Sequence, residues 1–204
     1  MKKRFLFFGA MLISLFLVSF IKLSPPNEIP LSTPIPLENL KMKSVNGKEV
    51  SLGTCKTEKG LLVIFSCNTC PYVKLSESRI KELTDFCIKQ KLGCVIVNSN
   101  EGQRTEDDSF DEMVKYASSQ KYSCNYVLDV NSTLADAFGA SRTPQCFLFN
   151  HKGLVYKGAI DDNVKDPSLV KIHYLKDAID AVIKNEIPSL QETKSIGCTI
   201  KRVE

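Results

Sequence analysis

Apolar and polar positions divide the chain into segments with strand and helix periodicity. Short apolar runs at residues 61–65, 94–97 and 126–128 predict strands, the first of them buried on both faces. Helical spacing of apolar residues predicts helices over about 69–90 and from Phe110 onward. Because helices alternate with these strands, we expect an α/β domain with a mostly parallel central sheet flanked by helices.

Turn signals place two hairpins at the ends of this pattern. Asn46-Gly47, between apolar segments at 40–45 and 49–52, predicts an N-terminal β-hairpin. Apolar runs at 146–149 and 154–156 predict a second hairpin, which would add antiparallel strands and make the central sheet mixed.

Polar residues mark the starts of two further helices. Ser109 and Glu112 have the spacing of a capping box ahead of a helix. Asp166-Pro167 is interpreted as the cap and first turn of the last helix. From Pro188 onward the chain shows no clear period and is expected to be a tail.

The N-terminus indicates export from the cytoplasm. Lys2, Lys3 and Arg4 precede an apolar run of 17 residues, 5–21, which Lys22 closes. Such a run directs a chain out of the cytoplasm and is at the short end for crossing a bilayer. No small-residue cleavage site closes it, so we interpret it as an uncleaved signal anchor, with a cleaved signal peptide as the alternative.

These features predict a three-part organisation. A signal anchor or signal peptide occupies residues 1–22, a proline-rich spacer 23–36 and one domain 37–204. We expect the domain in the cell envelope, outside the cytoplasm on the periplasmic side, secreted or anchored in the membrane through residues 5–21. The net charge is +4 with scattered basic residues, so nucleic acid is not an expected partner.

The cysteines carry the chemistry that the sequence suggests. Cys67 and Cys70 form a Cys-x-x-Cys motif where the strand at 61–65 runs into the first long helix. N–H groups at a helix start stabilise a thiolate, which is the reactive form of cysteine. Cys87 and Cys94 lie in apolar stretches and are interpreted as core residues. Disulfide pairing among the six cysteines outside the motif stays open.

The motif alone is compatible with a redox couple, an inert disulfide or half of a zinc site. Zinc requires further ligands at matching spacing, and the only histidines are His151, in a predicted turn, and His173, in the predicted last helix. We therefore interpret the pair as redox-active and expect no metal site and no dissociable cofactor. Cys67 is expected to be the more exposed and to attack, and Cys70 to resolve the mixed disulfide.

Four ordered motifs resemble a known family. They are Cys67-Asn68-Thr69-Cys70-Pro71-Tyr72-Val73-Lys74, Thr143-Pro144, Gly158 to Asn163, and Gly197-Cys198-Thr199-Ile200-Lys201. Over roughly residues 37–202 the chain resembles the thioredoxin-like superfamily, in the redoxin and alkyl-hydroperoxide-reductase-like branch that includes TlpA-type thiol–disulfide oxidoreductases. The resemblance implies the thioredoxin fold, a cis-proline at Pro144 facing the cysteine pair, and redox exchange as the activity.

The same resemblance suggests roles for the neighbouring residues. Thr143 and Pro144 would offer backbone to an incoming substrate chain, in a short strand-like pairing. Asn68, Thr69 and Cys198 are candidate accessory residues. A simple tail thiol is the plainer interpretation of Cys198, and a third redox partner is the alternative. The expected partners are protein thiols and disulfides and an upstream thiol electron donor.

One departure from the thioredoxin pattern concerns proton handling. Thioredoxins place a buried Asp six residues ahead of the first cysteine, and here Leu61 occupies that position. The base that would help to deprotonate Cys70 is therefore missing from its usual place. The acidic loop residues Asp161 and Asp162 are interpreted as part of a solvated loop, with a role in shaping the rim of the active site as the alternative.

The sequence thus predicts an exported or membrane-anchored thiol–disulfide oxidoreductase, with two alternatives. The first is a thiol peroxidase, in which Cys67 is oxidised to a sulfenic acid that Cys70 resolves. Peroxidases of this branch usually show Pro-x-x-x-Thr-x-x-Cys, and Gly60 stands where the proline would be. The second is a non-catalytic thioredoxin-like binding module, against which the presence of both cysteines argues.

Overall fold

The computed structural model describes residues 27–203. Its helices are α1 Leu52–Cys55, α2 Pro71–Lys89, α3 Phe110–Gln120, α4 Thr133–Phe138 and α5 Tyr174–Ile183. Its strands are β1 Met42–Lys43, β2 Glu49–Val50, β3 Leu61–Ser66, β4 Gly93–Asn98, β5 Asn125–Leu128, β6 Arg142–Thr143, β7 Gln145–Asn150, β8 Gly153–Gly158 and β9 Cys198–Thr199. The predicted signal segment, residues 1–22, lies outside this range. Within it, every helix is too short or too polar to cross a bilayer.

The centre strand of the main sheet leads directly to the cysteine motif. The sheet has five strands in the order β5-β4-β3-β7-β8. β3, β4 and β5 run parallel, whereas β7 is antiparallel to β3 and β8 is antiparallel to β7. Every residue of β3 is buried, as expected for a strand covered on both faces. The predicted mixed α/β sheet is confirmed.

Alternate side chains of β3 enter two separate cores, one on each face of the sheet. Leu62 and Ile64 belong to a cluster with residues from α2, α3 and α5. Val63 and Phe65 belong to a second cluster, where Phe138 packs edge-on against Phe65 with ring centroids 5.3 Å apart. The end of β3 is held from both sides, and this fixes the position of the chain that follows it.

Residues 27–36, within the predicted spacer, lie against the domain. The main-chain N–H of Ile29 donates to the Phe138 carbonyl at 3.1 Å, and that of Ser32 donates to the Leu154 carbonyl at 2.8 Å. The Ile29 side chain also packs on the second core cluster. This part of the predicted spacer is therefore packed against the fold.

The last helix begins later than predicted. Asp166 caps only a single 3-10 turn at Pro167–Leu169, and α5 starts at Tyr174. The residues between them bond back to the preceding loop, where the main-chain N–H of Lys171 donates to the Asp162 carboxylate at 3.0 Å. This competing loop contact ends the 3-10 turn before a helix can propagate.

The capping box predicted ahead of α3 is half formed. The Ser109 hydroxyl accepts a hydrogen bond from the Glu112 N–H at 3.4 Å. The Glu112 carboxylate does not return to the cap, because it pairs with Lys115 at 2.5 Å on the next turn.

The tail after α5 returns to the functional end of the sheet. β9 pairs antiparallel with β6, which places Cys198 opposite Thr143. The main-chain N–H of Ile200 donates to the Ser141 carbonyl at 3.1 Å, and Ile200 is buried. The sequence did not predict this pairing, because a two-residue strand has too few positions to show a period.

Candidate active site

The end of β3 and the start of α2 place the two motif cysteines at a helix N-terminus. β3 ends at Ser66, and α2 begins at Pro71 with Cys70 as its N-cap residue. Proline suits this first turn because an N–H there would have no helical partner. The main-chain N–H of Val73, in the first turn of α2, helps to lower the pKa of the Cys70 thiol.

The turn before β7 supplies the residue that both cysteines contact. The Thr143–Pro144 peptide bond is cis, as predicted. Cys67 Sγ lies 3.6 Å from the Thr143 hydroxyl oxygen, and the Cys70 thiol donates to the Thr143 carbonyl at 3.1 Å. The structure therefore brings together Cys67, Cys70 and the Thr143-Pro144 turn, with both cysteines as free thiols.

Both sulfurs of the motif are shielded from solvent. Cys67 is 1% exposed and Cys70 is 3% exposed. The expectation that Cys67 would be the more exposed member is therefore wrong. The physical reason is that Cys67 packs within the core cluster against Thr143, and β9 pairs with that turn.

The two thiols titrate as one coupled pair. The hydrogen bond between them lowers the pKa of Cys70 to about 4 and raises the pKa of Cys67. Burial opposes charge at both sulfurs, whereas donors from Cys198 and Thr143 lower the pKa of Cys70 further. Cys70 donates to the Thr143 carbonyl only in its protonated form, whereas its lowered pKa favours the thiolate. The pair thus holds one negative charge at neutral pH.

A buried carboxylate fixes the turn between the two cysteines. Asp108 lies in the loop before α3 and accepts a hydrogen bond from the Asn68 main-chain N–H at 2.8 Å. Its oxygens also accept from the side-chain amides of Asn98 at 2.7 Å and Asn100 at 2.8 Å. After the Cys70 contact and burial, the Asp108 charge is a further cause of the raised pKa of Cys67.

Sequence reasoning missed Asp108, which lies at the end of the polar stretch 98–108. The signal that could have found it is position, because this stretch follows β4, whose carboxyl end lies beside that of β3. Leu61, where a thioredoxin carries its buried acid, is fully buried in β3. A buried carboxylate reaches the motif from a different element instead.

The candidate accessory residues Asn68 and Thr69 lie in different surroundings. The Asn68 amide donates to the Asp107 carbonyl at 2.8 Å, and its oxygen accepts from the Tyr126 hydroxyl at 2.8 Å. Thr69 is half-buried and lines, with Asn68 and α3, a surface cavity of about 330 Å³. Asn68 therefore holds the turn, and Thr69 faces an open groove.

The acidic loop after β8 is anchored to α2. Arg79 of α2 donates to the Asp161 carboxylate at 2.6 Å and to the carbonyls of Asn163 and Val164 at 2.9 and 3.0 Å. The Asp161 side chain is 3% exposed, so its interpretation as a solvated residue is wrong. Asp162 is exposed. The ion pair fixes the loop beside Pro144, which lines a small cavity with Asp161.

The five cysteines other than Cys67, Cys70 and Cys198 lie away from the motif. Cys87 and Cys146 are fully buried and Cys94 nearly so, which confirms Cys87 and Cys94 as core residues. At the opposite end of the sheet, Cys55, Cys94 and Cys124 line a cavity of about 960 Å³. Among residues 27–203 the His, Cys, Asp and Glu side chains form no group of three or more arranged to hold a metal ion.

Comparisons with known proteins agree with this fold. A hypothetical protein from Sinorhizobium meliloti 1021 is 30% identical, with a TM-score of 0.77 over 87% of this chain and 97% of that chain. An uncharacterized conserved protein from Geobacillus kaustophilus is 26% identical, with a TM-score of 0.75 over 83% and 93%. A thioredoxin-like protein in the oxidized form is 20% identical, with a TM-score of 0.57 over 75% and 96%. No curated protein matches the chain significantly.

Fold and site together define a thioredoxin-like protein of the class that carries thiol redox chemistry. The chain matches the Redoxin family over residues 27–172. It belongs to the redoxin family, and the resemblance noted in its four motifs is confirmed.

Proposed function

We propose that this redoxin is a thiol–disulfide oxidoreductase that exchanges electrons with protein disulfides through Cys67 and Cys70. The observation that carries the proposal is the contact of both sulfurs with Thr143, next to the cis-proline. Cys67 Sγ lies 3.6 Å from the Thr143 hydroxyl, and Cys70 Sγ lies 3.1 Å from its carbonyl oxygen. An inert structural disulfide would need neither a shared negative charge nor a helix N-terminus to stabilise it.

Exchange proceeds in two balanced steps. The Cys67 proton passes to Cys70 as Cys67 attacks one sulfur of a substrate disulfide. A bond forms to Cys67, and the other substrate sulfur leaves as a thiolate, which takes the proton from Cys70. The Cys70 thiolate then attacks Cys67, which releases the second substrate thiol and leaves a Cys67–Cys70 disulfide. The substrate gains two electrons and the pair loses two. The hydrogen bond between the two thiols supports this role, because it holds one of them ionised at neutral pH.

Substrate access requires a movement of the tail. The backbone of Thr143, predicted to pair with an incoming chain, is already paired with Cys198 of β9. A substrate strand that uses this edge must displace β9 first. While β9 stays paired with Thr143, the groove beside Thr69 is the open approach for a substrate.

The proposed setting follows from the N-terminal sequence. A signal anchor or signal peptide at residues 1–22 would place the domain in the cell envelope, where disulfides form and persist. The proposed partners are protein disulfides as substrates and an upstream dithiol protein as electron donor. Residues 5–21 would hold the chain to the membrane if the segment is not cleaved.

A trapping experiment on the reduced full chain tests the proposal. In Cys70→Ser, a peptide that contains one disulfide is expected to stay linked to Cys67, because the resolving thiol is gone. Mass spectrometry of the alkylated digest identifies the linked cysteine. Cys55→Ser, which removes a half-buried thiol from the other end of the sheet, is the control and is expected to behave as the native chain.

The alternatives give different results in the same assay. A sulfenic acid at Cys67 with hydrogen peroxide, and no peptide adduct, would favour a thiol peroxidase. Failure of Cys67 to react with either reagent would favour a non-catalytic binding module. Either result would overturn disulfide exchange as the function.

A further inference from the structure

The tail strand brings a third sulfur against the cysteine pair. Cys198 lies opposite Thr143 in the β6–β9 pairing, close enough to Cys70 for each thiol to shift the pKa of the other. It packs against the core cluster that contains Cys67 and Cys70. The main-chain N–H of Tyr72 lowers the pKa of Cys198, as that of Val73 lowers the pKa of Cys70. Two sulfurs therefore share the N-terminus of α2.

The tail is fixed on both sides of Cys198. A Cβ atom on Gly197 would lie 2.1 Å from the Thr143 carbonyl oxygen, so the close approach of this segment requires glycine. On the other side, Ile200 N–H donates to the Ser141 carbonyl at 3.1 Å, and Lys201 N–H donates to the Asn100 side chain at 3.0 Å. Cys198 is thus held at its contact with Cys70 and is not a loose tail thiol.

We propose that Cys198 is a third redox-active cysteine, which takes over the disulfide from the Cys67–Cys70 pair by attacking Cys70. This inference rests on the proposed function, because the pair must first be oxidised by a substrate disulfide. The geometry selects the target: Cys198 lies opposite Thr143, and Cys70 Sγ lies 3.1 Å from the Thr143 carbonyl oxygen, whereas the sulfur of Cys67 faces the Thr143 hydroxyl.

The internal step is balanced and needs no further oxidant. The Cys198 thiolate attacks the Cys70 sulfur, a Cys70–Cys198 bond forms, the Cys67–Cys70 bond breaks, and the electron pair leaves on Cys67. The proton released by Cys198 passes to solvent or to Cys67. An external dithiol protein then reduces the Cys70–Cys198 disulfide and is itself oxidised, which returns three thiols.

The protonation states favour attack after oxidation of the pair. Burial, and then the hydrogen bond and charge of Cys70, raise the pKa of Cys198 to about 11 in the reduced form. When Cys70 is part of a disulfide, its charge is gone, and the pKa of Cys198 falls. Because Cys198 is the least buried of the three sulfurs, the exchange also moves the disulfide toward solvent, where an electron donor can reach it.

Disulfide mapping of the full chain tests this relay. Reduced Cys67→Ser is treated with one equivalent of diamide, alkylated and analysed by peptide mass spectrometry. We expect a Cys70–Cys198 disulfide in most molecules, because these two thiols are the only pair left at the site. The native chain, oxidised in the same way, is expected to hold both Cys67–Cys70 and Cys70–Cys198 disulfides. This second measurement does not depend on the folding of a variant.

Two outcomes would overturn the relay. One is Cys198 recovered as a free alkylated thiol in both Cys67→Ser and the native chain. The other is a Cys198→Ser variant that forms the peptide adduct and turns over with a dithiol donor at the native rate, which would leave the proposed function intact. If no variant forms a peptide adduct at Cys67, the proposed function fails. The disulfide mapping of Cys67→Ser still shows in that case whether Cys70 and Cys198 form a disulfide. Cys55→Ser is the control for nonspecific loss of a thiol.

Discussion

The carboxylate of Asp108 accepts a hydrogen bond from the main-chain N–H of Asn68 at 2.8 Å, so a buried acid holds the turn between the two motif cysteines. Three donors converge on this carboxylate, from Asn68, Asn98 and Asn100. Such a carboxylate is both a structural anchor and a fixed negative charge near Cys67. These two effects are separable by substitution.

Asp108→Ala is expected to destabilise the fold, because it leaves three buried donors without an acceptor. Each unsatisfied buried donor costs about 1–3 kcal/mol, so the free energy of unfolding should fall by roughly 3 kcal/mol or more. Urea unfolding measures it. The matched control is Asp107→Asn, since Asp107 is exposed and only its main-chain carbonyl contacts Asn68. An equal decrease in the free energy of unfolding in the two variants would contradict the role of the Asp108 carboxylate as the anchor of the turn.

The coupled pair gives a pH dependence with a defined sign. Because the Cys67 thiol donates to Cys70, the pKa of Cys70 is about 4, and the reduced protein should retain one thiolate as the pH falls from neutral toward that value. The ultraviolet absorbance of the thiolate measures this. Cys198→Ala removes a donor to Cys70, so the pKa is expected to rise. Cys55→Ala, at the other end of the sheet, should leave the titration unchanged. Loss of all thiolate absorbance already above pH 7 in the native chain would argue against a shared charge.

The ion pair between Arg79 and Asp161 is expected to stabilise the fold strongly. Their side chains are 13% and 3% exposed. Removing one partner of a buried pair leaves the other charge uncompensated, which costs about 3–5 kcal/mol. Asp161→Ala should therefore lower the free energy of unfolding by about that amount in denaturant titration.

The matched control for this pair is on the protein surface. Asp180 pairs with Lys176 at 2.6 Å, but their side chains are 37% and 38% exposed. Exposed pairs contribute about 0–1 kcal/mol, so Asp180→Ala should have little effect. If the two substitutions cost the same, burial does not set the strength of the Arg79 contact.

Gly197→Ala is expected to lift β9 from the Thr143 turn. The added Cβ would lie 2.1 Å from the Thr143 carbonyl oxygen, and that oxygen is main-chain and cannot rotate away. Cys67 and Cys70 should then react faster with a thiol-alkylating reagent than in the native chain. Lys194→Ala changes an exposed residue of the same tail and should leave the rate unaltered. An unchanged rate in Gly197→Ala would mean that the tail does not shield the pair.

The sequence predicted those parts of the protein that short-range patterns determine. The apolar run at 61–65 identified a strand buried on both faces, and the helical spacing of apolar residues behind it identified the first long helix. The Thr143-Pro144 turn was predicted from a family motif, and the structure confirms its cis bond. Each of these features is encoded within one continuous segment of the chain.

The parts that the sequence did not predict depend on contacts between distant segments. Asp108 reaches the motif across 40 residues of chain, and Cys198 reaches Thr143 through a two-residue strand. Neither contact produces a periodic pattern of apolar residues in the sequence. The burial of Cys67 likewise depends on a distant segment, because Cys67 packs against Thr143, and for this reason its expected exposure was wrong.

The most direct test of the central claim is a redox titration of the full chain in buffers of reduced and oxidised dithiothreitol. After each equilibration, free thiols are alkylated, and the state of every cysteine is read by peptide mass spectrometry. We expect Cys70 to lose its free thiol in one reversible two-electron transition, with Cys67 or Cys198 as its disulfide partner, while Cys87 and Cys146 stay reduced throughout. Cys67 and Cys70 that remain free thiols under fully oxidising buffer, or that oxidise irreversibly, would contradict it.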